Sequence, residues 1–218
     1  MNEFSSNLMP LPPATVICEH EYDTPEQTAV VVGLAQGGTS MVAAVVDALG
    51  VPLVDVPGQM FNFESTDRPF CAEDFETWCS KIPGLNASYA AWGLKDTLIS
   101  RFAPVWVNAA LRNPYYLVAS RDVVATAQRR GEPGGLVQLK ETLLQHQDLW
   151  RWVLSLPPAP VLIVSYERAI ANREQFVATV ADFLKTPCTT DQLARAVERI
   201  SPTGGYLIGE DSVCPGTA

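Results

Sequence analysis

The sequence predicts an α/β domain: three α/β/α layers around a mostly parallel sheet, with a P-loop-like phosphate-binding turn. Three observations carry this. Short runs such as Thr28–Val32, Tyr115–Ala119 and Val161–Val164 are continuously apolar rather than alternating, as strands covered on both faces are. Helix-period segments separate these runs, the order expected of βα units. The first run ends in the glycine-rich turn Gly33-Leu34-Ala35-Gln36-Gly37-Gly38-Thr39-Ser40, which opens an apolar helical pattern.

Residues 1–27 are rich in Pro, Ser, Asn and acids, and read as a loosely attached arm ahead of an α/β domain over 28–200. Thr28–Val32 is the first strand. Thr39–Leu49 is a helix with Met41, Val42, Val45, Val46 and Leu49 on one face, stopped by Gly50. Val51–Val56 fits a second short strand, and residues 57–70, with Pro, Gly, Asn and scattered aromatics, an irregular loop. Ala72–Ile82 and Ile99–Leu111 read as helices, and the short aromatic run Tyr89–Leu94 ends at Lys95-Asp96. Asp122–Arg130 is a helix with a basic end, broken by Pro133-Gly134-Gly135. A long amphipathic helix, Leu136–Leu154, stops before Pro157-Pro158. Beyond the strand at Val161 comes a helix over Glu174–Leu184. The segment 201–218, rich in Gly, Pro and Thr, is a tail that closes over the site or trails in solvent.

Composition narrows the function classes. A net charge of −9 disfavours duplex nucleic acid or an anionic membrane as partner, so an anionic ligand must be met by a local cluster of donors. No basic-then-apolar leader and no bilayer-length apolar run is visible, which leads us to expect a cytoplasmic protein. Cys18, Cys71, Cys79, Cys188 and Cys214 form no C-x-x-C pair, so neither zinc nor a disulfide framework is expected, and the thiols read as reduced.

The turn at Gly33–Ser40 carries the chemistry. Backbone N–H groups and the hydroxyls of Thr39 and Ser40 converge at the positive end of a helix dipole, where phosphate binds well. It is not a full Walker A loop, because Thr39 stands where that motif needs Lys, and it carries no G-x-G-x-x-G. A βα turn whose glycines serve packing alone is the plainer reading. Three further segments weigh against it: Trp92-Gly93-Leu94-Lys95-Asp96; the junction Leu117-Val118-Ala119-Ser120-Arg121-Asp122-Val123-Val124-Ala125-Thr126; and Ile163-Val164-Ser165-Tyr166-Glu167.

Together these segments resemble P-loop sulfotransferases, in a divergent bacterial-type form, which move a sulfuryl group from 3′-phosphoadenosine-5′-phosphosulfate (PAPS). The family's loop G-x-P-R-S-G-T-[ST] and the helix end A-L-G-V are approached by Gly33–Ser40 and Ala48-Leu49-Gly50-Val51. Its W-G-x-K-D is matched by Trp92–Asp96, its R-D-P-x-x-V-x-x-S by a shortened Leu117–Thr126, and its Y-E-D and F-L-x-x-P by Tyr166-Glu167 and Phe183–Pro187. The likeness covers about residues 28–187.

The resemblance implies roles. Gln36, Gly37, Gly38, Thr39 and Ser40 would hold the 5′-phosphosulfate. Arg121 and Thr126, supplemented by Arg129 or Arg130, would hold the 3′-phosphate, and Lys95 would neutralise charge or position the acceptor. Glu64 would deprotonate a hydroxyl or amine on a small-molecule or glycan acceptor seated by the 57–92 region, although an exposed loop acid is the simpler account of it. No metal is implied. Two departures stand out: Gln36 replaces the loop cation, a loss of about 3 kcal/mol of charge stabilisation where water is scarce, and the second junction is shortened, so Arg121 aligns in two ways. His146, His20 and Tyr166-Glu167 read as structural, Trp78 and Trp106 as core residues, and one of Trp150 and Trp152 as core. Three functions stay open: sulfuryl transfer from PAPS, a sulfotransferase-fold binding protein that has lost catalysis, and a kinase on a degenerate P-loop.

Overall fold

The computed structural model describes residues 11–54, 79–97, 111–130 and 135–200. Five strands form one sheet in the order β1-β5-β4-β2-β3. They are β1 (Ala14–Cys18), β2 (Gln27–Gly33), β3 (Ala91–Asp96), β4 (Pro114–Ser120) and β5 (Val161–Ser165). Pairs β2–β3, β2–β4 and β4–β5 are parallel, and β1 adds antiparallel to β5. All seven residues of β2 are buried, because neighbouring strands flank it and helices cover both faces.

The two faces separate by the alternation of strand side chains. Ala29, Val31, Leu117 and Val164 face α1 (Thr39–Ala48) and, further along the chain, the helices of residues 173–183 and 190–198. Val30, Val32, Trp92, Tyr116 and Val118 face α2 (Ile82–Ser88) and the long helix of residues 136–154. The helices between and after these are α3 (Val123–Arg130), α4 (Leu136–Leu154), α5 (Tyr166–Ala171), α6 (Arg173–Phe183) and α7 (Thr190–Glu198). This is the three-layer arrangement expected from the apolar strands.

Several expectations are corrected. Residues 14–18, assigned to a loose arm, are the sheet's antiparallel edge: β1 pairs with β5 from Ala14↔Val164, with a bulge between Val16 and Cys18. Tyr22 follows the same course, its hydroxyl donating to the Pro114 carbonyl at 3.0 Å. Of the short strand expected at 51–56, the described residues 51–54 make a single bridge, Leu53↔Gly93. Pro52 lacks an N–H, so only its carbonyl enters the pairing, accepting from Gly93 at 2.9 Å. Of the helix expected over Ala72–Ile82 only the last residues are described: Cys79 is helical, a turn follows at 80–81, and a separate helix begins at Ile82, with Pro83 in its first turn, where no N–H is required. α5 and α7 add to the helices expected from the sequence, and α7 opens with a complete capping box between Thr189 and Gln192. Residues 57–70, the helix expected at 99–111 but for Leu111, Trp78, Trp106 and the tail from 201 lie outside the described residues. Of the tryptophan pair, Trp152 is the core residue, edge-on to Tyr116 at 5.7 Å.

Candidate functional site: two strand-to-helix junctions

β2 and β4 lie side by side, and both run into helices at the same end of the sheet. At the first junction Gln36 (φ 63°) and Gly38 (φ 97°) take left-handed conformations. Gly38 is the N-cap of α1, and no side chain caps it. Its lack of a side chain is required, since an added Cβ would lie well inside the van der Waals shell of Tyr166 Cδ2. Gly37 is equally confined: its N–H donates to the Leu34 carbonyl at 2.8 Å, and a Cβ there would meet that oxygen at 2.7 Å.

Gly37 is therefore not an anion donor through its amide, which corrects that part of the expected set. The amides of Gly38, Thr39 and Ser40, by contrast, have no acceptor among the described residues. They are the orphan donors of a helix start. Lys95, at the end of the adjacent β3, donates from Nζ to Ser40 Oγ at 3.4 Å, so the structure brings this predicted residue to the loop. Gln36 is exposed and places its carbonyl, not a charge, toward the neighbouring junction.

That neighbour is differently finished. Arg121, directly after β4, is 16% exposed; its guanidinium lies 4.7 Å above the centre of the Tyr166 ring and donates to the Gln36 carbonyl at 3.3 Å. Its Nε is 3.8 Å from Glu167 Oε1. The same carboxylate oxygen accepts the Asp122 amide at 3.1 Å. Asp122 in turn accepts the Ala125 amide at 2.8 Å, capping α3. Thr126 is 2% exposed, and its hydroxyl donates to the Asp122 carbonyl at 2.8 Å. Arg129 sits in the last turn of α3 with an exposed side chain, and Arg130 donates to Gln145 at 2.7 Å. The residues expected around a 3′-phosphate are thus dispersed or engaged by the chain itself.

An open cleft of about 490 Å³ lies beside this second junction, lined among others by Ser120, Arg121, Asp122, His146, Glu167 and Arg168. Its two arginines are matched by two carboxylates. His146 Nε2 is buried without a hydrogen-bond partner among the described residues, and desolvation holds its pKa below the usual histidine value. It stands edge-on to Trp150 at 5.8 Å. His20, edge-on to Tyr22 at 4.7 Å, belongs to the stretch between β1 and β2. Glu64 lies outside the described residues. The two participants that the sequence reading set aside are Tyr166 and Glu167; their signal was a polar pair directly after a buried strand. Among the described residues, no group of three His, Cys, Asp or Glu is placed to hold a metal ion, and no helix is long and apolar enough to cross a membrane.

No protein-family model matches the chain, and no curated protein matches its sequence. Solved structures do match. The sulfotransferase domain of the Synechococcus PCC 7002 olefin synthase aligns with a TM-score of 0.55 at 10% identity, over 81% of this chain and 79% of that one. Mouse sulfotransferase SULT7A1, crystallised with PAP, aligns with a TM-score of 0.52 at 16% identity, over 83% of this chain and 66% of that one. An unliganded sugar kinase from Janibacter sp. HTCC2649 aligns with a TM-score of 0.50 at 15% identity, over 79% of this chain and 98% of that one. At such identities the likeness speaks for architecture: the chain has the P-loop-like α/β fold found in sulfotransferases.

Proposed function

We propose that this protein binds the 5′-phosphosulfate end of an adenosine-nucleotide donor of the PAPS type at the β2–α1 loop and transfers the sulfuryl group to a hydroxyl or amine. One observation carries the reading: the amides of Gly38, Thr39 and Ser40, without an acceptor among the described residues, stand beside Lys95 at the mouth of α1. In sulfuryl transfer the sulfur–oxygen bond to the 5′-phosphate breaks as a bond from sulfur to the acceptor oxygen or nitrogen forms. The acceptor's proton leaves to a base, the role expected of Glu64. Negative charge grows on the departing phosphate, and fixed amides plus one ammonium are the groups that stabilise it without reorganisation. The acceptor would enter beside Lys95.

Gln36 supports a second reading, a binding protein of the same fold without turnover. An uncharged side chain leaves the loop with fewer cations for the leaving group. A degenerate kinase is the third, to which the sugar-kinase likeness lends architecture alone. Thermal shift with adenosine 3′,5′-bisphosphate (PAP), 5′-AMP and ATP separates them. A ligand at 100 times its Kd adds about 2.7 kcal/mol, or roughly 5–10 °C in a domain of this size. A shift with the adenosine monophosphate and bisphosphate together with sulfuryl transfer from a phosphosulfate donor to a hydroxyl or amine acceptor supports the transferase, and a shift without transfer supports the binding protein. A shift with ATP alone supports the kinase, and no shift with any of the three sinks every nucleotide-dependent reading. Substituting Gln36→Arg is expected to tighten nucleotide binding about threefold to tenfold.

A further inference from the structure

The two junctions that would share a nucleotide carrying two phosphates are not equally able to receive one. At β2–α1 the helix-start amides are open and a lysine stands beside them. At β4–α3 several of the groups that would greet a phosphate already have an internal partner, although the amides of Val123 and Val124 have no acceptor and Arg121 Nε no hydrogen bond among the described residues. The Asp122 amide donates to Glu167, and the Ala125 amide to Asp122. Arg121 is held between Glu167, the Tyr166 ring and the Gln36 carbonyl. The Thr126 hydroxyl is buried on the Asp122 carbonyl. The carboxylates of Asp122 and Glu167 therefore take two of the amides of this helix start.

Resting on the donor reading above, we infer that the nucleotide is held through one anionic group at the β2–α1 loop, and that Glu167 is a specificity-determining residue against a 3′-phosphate. The natural donor is then an adenosine 5′-phosphosulfate without a 3′-phosphate. A phosphate monoester carries a charge of about −1.5 to −2 near neutral pH. To enter the second junction it would have to displace a carboxylate from Arg121 and from the Asp122 amide, and it would then face both acids. Rejection by a like charge is as effective a source of specificity as attraction. Arg168 lines the wall of the same cleft.

The test compares 5′-AMP with adenosine 3′,5′-bisphosphate, which differ only in the 3′-phosphate, by titration calorimetry on the full chain. The wild type is expected to bind 5′-AMP at least as tightly as the bisphosphate. In Glu167→Gln, which keeps an acceptor for the Asp122 amide but removes the charge, bisphosphate affinity should rise about tenfold while 5′-AMP affinity stays within about twofold. Two results overturn the inference alone: a wild-type preference of about tenfold for the bisphosphate, or an unchanged ratio in Glu167→Gln. Absence of binding by either nucleotide overturns the donor reading together with it.

Discussion

At the β2–α1 junction, a left-handed glycine turns the chain into a helix whose first amides are left to whatever anion arrives. One strand away, at β4–α3, the next helix start supplies its own acids and keeps its arginine beneath them. The strands are paired in register, Val32 opposite Val118 and Gly33 opposite Ala119, so strand alignment does not account for the difference. Two side chains do. Gly38 has none to offer its helix, whereas Asp122 reaches the Ala125 amide and draws Glu167 in behind it. A βα junction thus becomes a binding site or a closed structural joint according to whether its own sequence satisfies the orphan amides.

Substitutions at the open junction should change binding or break the loop, and substitutions at the closed one, the gatekeeping Glu167 apart, should change stability alone. The largest effect is expected from Gly38→Ala. It combines a left-handed φ with a collision against Tyr166, for a loss of about 2–4 kcal/mol in urea denaturation. Gly84→Ala, where an added Cβ meets nothing, is the control and should be neutral or slightly stabilising. If both variants melt alike, the close packing of Tyr166 on the loop is not what holds it. Next comes Lys95→Met, which keeps the aliphatic stem but removes the ammonium beside Ser40. Nucleotide affinity should fall about tenfold, roughly 1.4 kcal/mol, with little change in melting temperature; unaltered affinity would remove Lys95 from the site. The smallest effect belongs to Thr126→Val at the closed junction. It loses the hydroxyl bond to the Asp122 carbonyl, which still accepts the Thr126 amide, at a cost of about 0.5–1.5 kcal/mol. Nucleotide affinity should not move, and a drop of tenfold would return Thr126 to the ligand and dissolve the contrast between the junctions.

Much of this architecture was legible because burial leaves a mark on composition. β2, β4 and β5 are apolar on both faces, and α4 falls on the expected residues 136–154. β1 was not legible, since an edge strand is held by backbone pairing to one neighbour and its Thr15, Val16 and Ile17 face outward. Nor was α5, because β5 passes into it at Ser165–Tyr166 without a glycine, proline or other turn residue to mark the change. At the site, the loop and Lys95 could be read from residue type and spacing. Glu167 could not, because its meaning depends on an amide 45 positions earlier that only the fold brings to it.

The pairing of β3 with β2 has one more consequence. Lys95 lies opposite Val31, and strands alternate faces residue by residue, so a slip of one residue in this pairing would carry the ammonium to the other side of the sheet. The loop and its cation are more than fifty residues apart in sequence, joined only by that register. Anion affinity is therefore a property of the assembled sheet: a peptide spanning residues 33–49 would hold every amide of the cradle and still lack its charge, and recovery of binding during refolding would report when β2 and β3 have found their alignment.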